Sequence, residues 1–367
     1  MTAEQQGSGG RAVVYIDFSH LGRHVTGIER VTIELFEKVV FPGADVRPVR
    51  AKGTVGMMLA QQVVLPWKAL LHRRARFVFP GFPPSPLFGF MRERAIHYVH
   101  DAFLITRPQD LSTKARLYMA WPFRRAVTGL KYFLTNSEKT RAEIEPFVSG
   151  DAMIMLYRPK VQNVFGLDAQ ARNQPRTAGA PLKIVSMGTV EPRKNYTAAV
   201  AILRALQSAG APDAELHIVG RAGWGEDASL LRSAPGVTLH GYLETAEVRA
   251  LTESADLYLC TSHDEGLGLP LLEVQFAGLP VAAPDARVFH EALGASGLFI
   301  DPAAPDRAAQ SILELVADPA RRALAVRSAL ENLARWNAAA EEDLARVRAL
   351  LASPVDVPVT MVVNEAA

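Results

Sequence analysis

The sequence predicts an α/β protein built from two Rossmann-like domains, and three observations carry that expectation. Apolar runs of strand length alternate with helical periodicity in both halves of the 367 residues. Periodicity vanishes over 166–181, where Gly, Asp, Gln, Asn, Pro, Thr and Ala dominate and a linker is predicted. The net charge of +2 also conceals a split: residues 1–160 hold 23 Lys+Arg against 13 Asp+Glu (+10), and residues 161–367 hold 17 against 25 (−8). The length itself suits two domains.

The elements follow in order. Val13–Phe18 is a continuous apolar run, hence a strand, and the spacing of Ile28, Val31, Ile33, Leu35, Phe36 and Val39 predicts a helix after it. His97–Asp101 and Tyr132–Ser137 read as strands, the second leading into a helix over 138–147 with Ser137 as N-cap. The window Phe77–Met91 holds four prolines and two glycines and is predicted to be loop or turn. Beyond the linker the rhythm is regular. Strands are expected at 183–188, 216–220, 237–240, 256–261 and 279–283, and helices at 196–209, 246–253, 270–277 and 307–317. An Ala-rich helix after Trp336, over 337–351, completes the chain. The expected domains are 11–168, facing the acceptor, and 181–335, binding the donor, with a cleft between them. The 336–352 helix is expected to pack back on the N-terminal domain. A disordered 1–10 and a loosely held tail 353–367 flank them.

Composition excludes several classes. Hydrophobic residues at 49% and charged residues at 21% describe a globular chain. One cysteine forms neither an intrachain bridge nor a Cys-based zinc site, which favours a reducing, cytoplasmic compartment. No uncharged apolar run reaches the ~18 residues a membrane span needs, and MTAEQQGSGG lacks the pattern of a signal peptide.

Two segments carry chemistry. In Ser262–Val281, after a strand and opening a helix, Gly266 and Gly268 let backbone approach a ligand, and Pro270 suits a first helical turn whose N–H groups attract phosphate. Glu265 in the loop and Glu273 in the first turn are eight residues apart and suited to sugar hydroxyls. Separately, a Gly-x-Gly is often only a tight turn and glutamates near a helix start only dipole partners; the joint placement is the specific signal. In Gly188-Thr-Val-Glu-Pro-Arg-Lys-Asn195, Arg193 offers a fork and Lys194 a point charge to a diphosphate, with Asn195 as N-cap. Arg-Lys pairs are also common on surfaces.

These segments resemble the retaining glycosyltransferases of family GT4, which have the GT-B fold. Glu265 and Glu273 match that family's Glu-x7-Glu signature, and Gly188, Arg193, Lys194 and Asn195 its phosphate clamp. Gly220–Gly225 and His240–Leu243 are similar to its nucleotide-side loops. The resemblance implies that Arg193 and Lys194 bind the donor diphosphate, and that Glu273 holds the ribose. It places Glu265 and the backbone of Gly266, Leu267 and Gly268, followed by Leu269, at the donor sugar and phosphates, and Tyr242 and Leu243 near the base. In the first half, Thr26–Val31 resembles the glycine loop of bacterial polysaccharide mannosyltransferases, with Gly27 near the donor phosphate and Arg30 a further anion contact. His100, before Asp101, resembles the histidine facing the donor sugar; histidines in such loops are also often merely satisfied structural groups. The usual Pro-Gly turn before the interdomain linker is replaced by Met155-Leu-Tyr-Arg-Pro-Lys160.

The implied activity is retaining transfer of a hexose, leaning to mannose, from a GDP- or UDP-linked donor to a lipid-linked or polysaccharide acceptor. The resemblance implies no metal and no further cofactor, and no Asp-x-Asp occurs. A non-catalytic nucleotide-sugar-binding or scaffold module of the same fold is the alternative. A dehydrogenase is rejected, because no Gly-x-Gly-x-x-Gly follows an early strand. Between Arg47 and Arg94 stand nine basic residues, one acid (Glu93) and many aromatics, a composition suited to an anionic membrane surface at the cytoplasmic face of the inner membrane, or to a solvated basic face. No nucleic-acid motif accompanies it.

Overall fold

The computed structural model describes residues 11–22, 27–106, 119–170, 179–223 and 227–355. The segments expected to be disordered at 1–10 and loose beyond 355, Thr26, and the Trp224-Gly225 end of the Gly220 loop lie outside the described residues. The chain divides into two compact units. One takes in the described residues up to Pro159 and those from Ala340 onward, and the other is Lys160–Ala339.

Each unit is built on a sheet of six parallel strands. In the first the order is β2-β1-β3-β4-β5-β6, from β1 (Ala12–Asp17), β2 (Ala44–Val49), β3 (Arg76–Phe79), β4 (Ala95–Val99), β5 (Tyr132–Thr135) and β6 (Met153–Leu156). Strands buried on both faces are apolar throughout, and every residue of β3, β4 and β5 is buried. Two expectations are corrected here. The window 77–91 is not all loop: Phe77–Phe79 belong to the central strand β3, which stops at Pro80, and a short 3-10 turn, Pro86–Met91, follows. The four prolines masked a strand that ends before the first of them. β2 and β6 also escaped detection; both are sheet edges, where a proline such as Pro48 is tolerated. Ser137 does cap its helix, accepting the Thr140 N–H at 3.1 Å.

In the second unit the order is β12-β11-β10-β7-β8-β9, from β7 (Lys183–Met187), β8 (Glu215–Val219), β9 (Val237–Gly241), β10 (Leu257–Leu259), β11 (Val281–Pro284) and β12 (Gly297–Ile300). The helix Tyr196–Ala209 coincides with its expected span. The chain runs outward through β7, β8 and β9, then returns to lay β10 beside β7. Loops following β7 and β10 therefore leave the carboxyl edge in diverging directions, the place where open α/β sheets bind ligands.

The last helix is longer than expected. It spans Pro319–Ala352, and its residues up to Ala339 belong with the second unit and those from Ala340 with the first. No glycine or proline interrupts 320–352, so nothing in the backbone stops it. Trp336, read as a boundary, is a fully buried mid-helix side chain clustered with Val161, Leu267, Leu272 and Leu333. Past the division, fully buried Asp343 accepts the Arg158 guanidinium at 2.8 Å and the Arg158 N–H at 3.2 Å. Burying that carboxylate is tolerable only because it is paired.

Replacing Trp336 removes a large side chain from a closed cluster beneath the Leu267 loop. Trp336→Ala is expected to lower the unfolding free energy by about 3–5 kcal/mol, measured by urea denaturation; a change within the range of ordinary surface substitutions refutes this packing role.

Candidate functional site

The site forms where β7 and β10 adjoin. After β7 the chain turns through Gly188, crosses a 3-10 turn Pro192–Lys194, and enters the helix Tyr196–Ala209. Gly188 has φ +144°, and a Cβ there would meet Lys194 Cε at 2.7 Å, so glycine is required both by the backbone and by the lysine lying over it. Gly220, at the end of β8, is still tighter: a Cβ would meet the Gly188 carbonyl oxygen at 1.9 Å. Asn195 occupies the cap position but does not cap through its side chain. It is the one described non-glycine residue with positive φ (+51°), and its Oδ1 accepts the Thr197 hydroxyl instead.

The loop after β10 closes on the loop after β7. Thr261 Oγ1 donates to the carbonyls of Lys194 (3.1 Å) and Asn195 (3.0 Å), and the His263 N–H donates to the Arg193 carbonyl (2.9 Å). At the centre lies Glu265, buried, with one oxygen accepting Arg193 Nη1 at 2.7 Å and the other accepting Lys194 Nζ at 2.7 Å and Ser262 Oγ at 2.8 Å. Arg193 also donates to the Asp264 carbonyl (2.7 Å) and to Glu191 (2.7 Å). Burial alone would raise the Glu265 pKa, but Lys194 and Arg193 outweigh it and hold the carboxyl at about 2. Burial likewise opposes the Arg193 charge, and Glu265 and Glu191 reverse that and raise its pKa. The cluster is thus two cations against two carboxylates, tightly hydrogen-bonded.

The residues expected at this site separate into groups. Gly188, Arg193, Lys194 and Glu265 come together. Gly266, Leu267 and Gly268 continue the same loop, with Gly268 at φ +77° and the Leu267 side chain turned into the Trp336 cluster, which leaves its backbone as the part able to meet a ligand. Leu269 begins a five-residue helix, Leu269–Glu273, and packs on that cluster. Glu273 is therefore the last residue of this helix rather than part of a first turn; it is buried, and a 3-10 turn, Val274–Ala277, follows. The two prolonged turns replace the single 270–277 helix that was expected. Tyr242 is exposed after β9 with Arg221 over its ring (5.4 Å), and Leu243 packs against the core. Among the described residues, no cluster of three His, Cys, Asp or Glu is placed to hold a metal ion.

Gly27 and His100 belong to the first unit. Gly27 opens the helix Gly27–Thr32, and a Cβ there would meet nothing within 4 Å among the described residues. Arg30 pairs with Glu34 (3.1 Å). His100 follows β4; its Nε2 lies 2.6 Å from the Pro80 carbonyl, which can only accept, so the ring carries its proton there. Asn136 Nδ2 donates to the His100 carbonyl at 2.7 Å. Burial pushes the His100 pKa down to about 4, and the imidazole is neutral at pH 7. Sequence reasoning assigned no role to Glu191, Thr261 or Ser262. Each stands inside or beside a quoted segment, but only the crossing of the two loops gives it a partner.

With this geometry in place, comparison with known proteins shows what the chain resembles. Residues 168–335 match the family model described as glycosyl transferases group 1. The second unit is therefore similar to the glycosyl transferases of group 1. Over the longer chain, the O-antigen chain mannosyltransferase B of Escherichia coli is 24% identical across 67% of each chain. The architecture is GT-B: sucrose-phosphate synthase from Thermosynechococcus elongatus superposes with TM-score 0.66 at 18% identity, covering 93% of this chain and 100% of that one. HepE of Anabaena, solved in complex with UDP, gives 0.63 at 16% identity over 91% and 100%. The second unit thus places the Arg193–Glu265–Lys194 cluster at the switch point of its sheet.

Glu265 titrates at about 2 in the folded chain against an ordinary value of 4.5. Its pairing therefore stabilises fully above about pH 4.5 and is lost as pH falls through about 2, a contribution of up to ~3 kcal/mol. Denaturation as a function of pH is expected to show this loss in the wild type and a shallower slope in Glu265→Gln; identical slopes overturn the assignment.

Proposed function

We propose that the chain transfers a hexose from a nucleoside-diphosphate sugar to a lipid-linked or polysaccharide acceptor with retention of anomeric configuration. The observation that carries this reading is the convergence of Arg193 and Lys194 on Glu265 at the carboxyl edge of β7 and β10. Two cations held in place by one carboxylate suit a diphosphate, whose charge grows as the glycosidic bond breaks. Family and fold support a transferase. Mannose as the sugar is supported by the Escherichia coli relative, and a nucleotide donor by the UDP in HepE.

In this reading Glu265 holds the clamp while the site is empty, and the donor diphosphate takes over part of its role toward Arg193 and Lys194. The backbone from Gly266 to Gly268 lies beside the sugar and phosphates, Glu273 holds the ribose, and Tyr242 with Leu243 flank the base. The acceptor oxygen attacks the anomeric carbon on the face from which the diphosphate leaves, and a phosphate oxygen of the leaving group takes the acceptor proton. Arg193 and Lys194 carry the charge that a divalent metal carries elsewhere.

Lys194→Ala is expected to lower transfer roughly 100–1,000-fold, and Glu273→Ala to lose most of it, with unfolding transitions showing that both variants fold. Near-normal nucleotide release by both removes the donor-site assignment. Thermal shifts across GDP-, UDP-, ADP- and dTDP-sugars identify the donor, since binding to the folded state raises stability. Chelation by EDTA is expected to leave the rate unchanged, and loss of turnover restored by Mg²⁺ contradicts the metal-free scheme.

A further inference from the structure

The first unit carries a helical rod whose outer face has no covering. Residues 53–71 form one helical run: a helix Gly53–Leu59, a wide π-helical turn Ala60–Val64, and a helix Leu65–Leu71. The wide turn ends two residues before Pro66, which lacks the N–H of a regular helical bond. Met57, Ala60, Leu65 and Ala69 bury the inner face in the core. The outer face is just as apolar. Val55, Met58, Leu59, Val63, Trp67, Leu70 and Leu71 are 55–72% exposed, although a helix on a protein surface ordinarily turns a polar face to water. The patch continues beyond the rod, because Leu70 and Phe90 line one cavity of about 540 Å³ and Phe90 is 90% exposed. A contiguous face of this kind marks an interaction site.

Charge identifies what covers it. No Asp or Glu occurs between residues 51 and 92. Lys52 at one end of the rod and Arg73 and Arg74 at the other are exposed, and none has an ion-pair partner among the described residues. A second copy docked through the same face would bring like charges together at its rims. No described helix is long and apolar enough to cross a membrane, and this rod is already fixed along one side. It can only lie flat. We propose that this face docks on an anionic phospholipid bilayer, with the seven apolar side chains and Phe90 entering the headgroup layer and Lys52, Arg73 and Arg74 meeting lipid phosphates. Trp67, an amphipathic ring in mid-face, suits the boundary between acyl chains and water. The inference stands apart from the donor reading, since it uses no residue of the second unit.

Flotation of the full chain with vesicles tests it. Binding is expected to vesicles of phosphatidylcholine mixed with phosphatidylglycerol, to weaken with salt, and to be far poorer with phosphatidylcholine alone. The combined variant K52Q/R73Q/R74Q is expected to lower partitioning roughly a hundredfold, and Trp67→Ser with Phe90→Ser to lower it further. Nucleotide release from a soluble donor is followed in the same samples, which separates failure of this proposal from failure of the donor reading. The exposed charge variant carries the test even where the apolar pair perturbs folding. Wild-type chain that fails to float, or a charge variant that floats as wild type does, overturns the proposal. So does a dimer seen by sedimentation that the same substitutions dissociate.

Discussion

Three hydrogen bonds to one buried carboxylate hold the carboxyl edge of the second unit's sheet together. Glu265 arrives on the loop after β10 and receives Arg193 and Lys194 from the loop after β7, with Ser262 closing the set. Strands β7 and β10 are neighbours in the sheet but far apart in sequence, and the connections that follow them diverge. An unpaired carboxylate at this depth would be neutralised or would unfold its surroundings. Paired, it aligns two cations that would otherwise repel one another. The bonds of Thr261 and His263 to the backbone of the opposite loop reinforce the same closure.

That cluster also resolves the charge asymmetry. The paired cations Arg193 and Lys194 stand in the acidic half of the chain, where their charge is local and offset by Glu191 and Glu265. Overall sign governs encounter at a distance, whereas geometry over 3 Å governs binding. The basic unit places its exposed cations elsewhere, around an apolar helical face, where a broad surface rather than a pocket collects them.

Much of the fold was legible from the residues. Lys183–Met187, Tyr196–Ala209 and Thr245–Ser254 follow their periodicity closely, since each buries one face or one continuous run against a parallel sheet. β3, β6 and β12 were missed because each is only four residues long, and β2, an edge strand, because Asp45, Arg47 and Pro48 interrupt its apolar pattern. The last helix was cut short because Trp336, bulky and aromatic, resembles a boundary in sequence while being fully buried in its cluster, as Leu272 is.

Sequence by itself determined the α/β rhythm, the two-unit plan and the identity of Gly188, Arg193, Lys194 and Glu265, because these depend on local spacing and on side-chain chemistry. Only the tertiary structure decided that Arg193 and Lys194 share one carboxylate, that Glu191, Thr261 and Ser262 belong with them, and that Glu273 ends a short helix rather than opening a long one. It also decided that the apolar residues of 53–71 are divided between a core and bare solvent. Burial and hydrogen-bond partnership arise from segments distant in sequence meeting in space, and no local pattern encodes which segments meet.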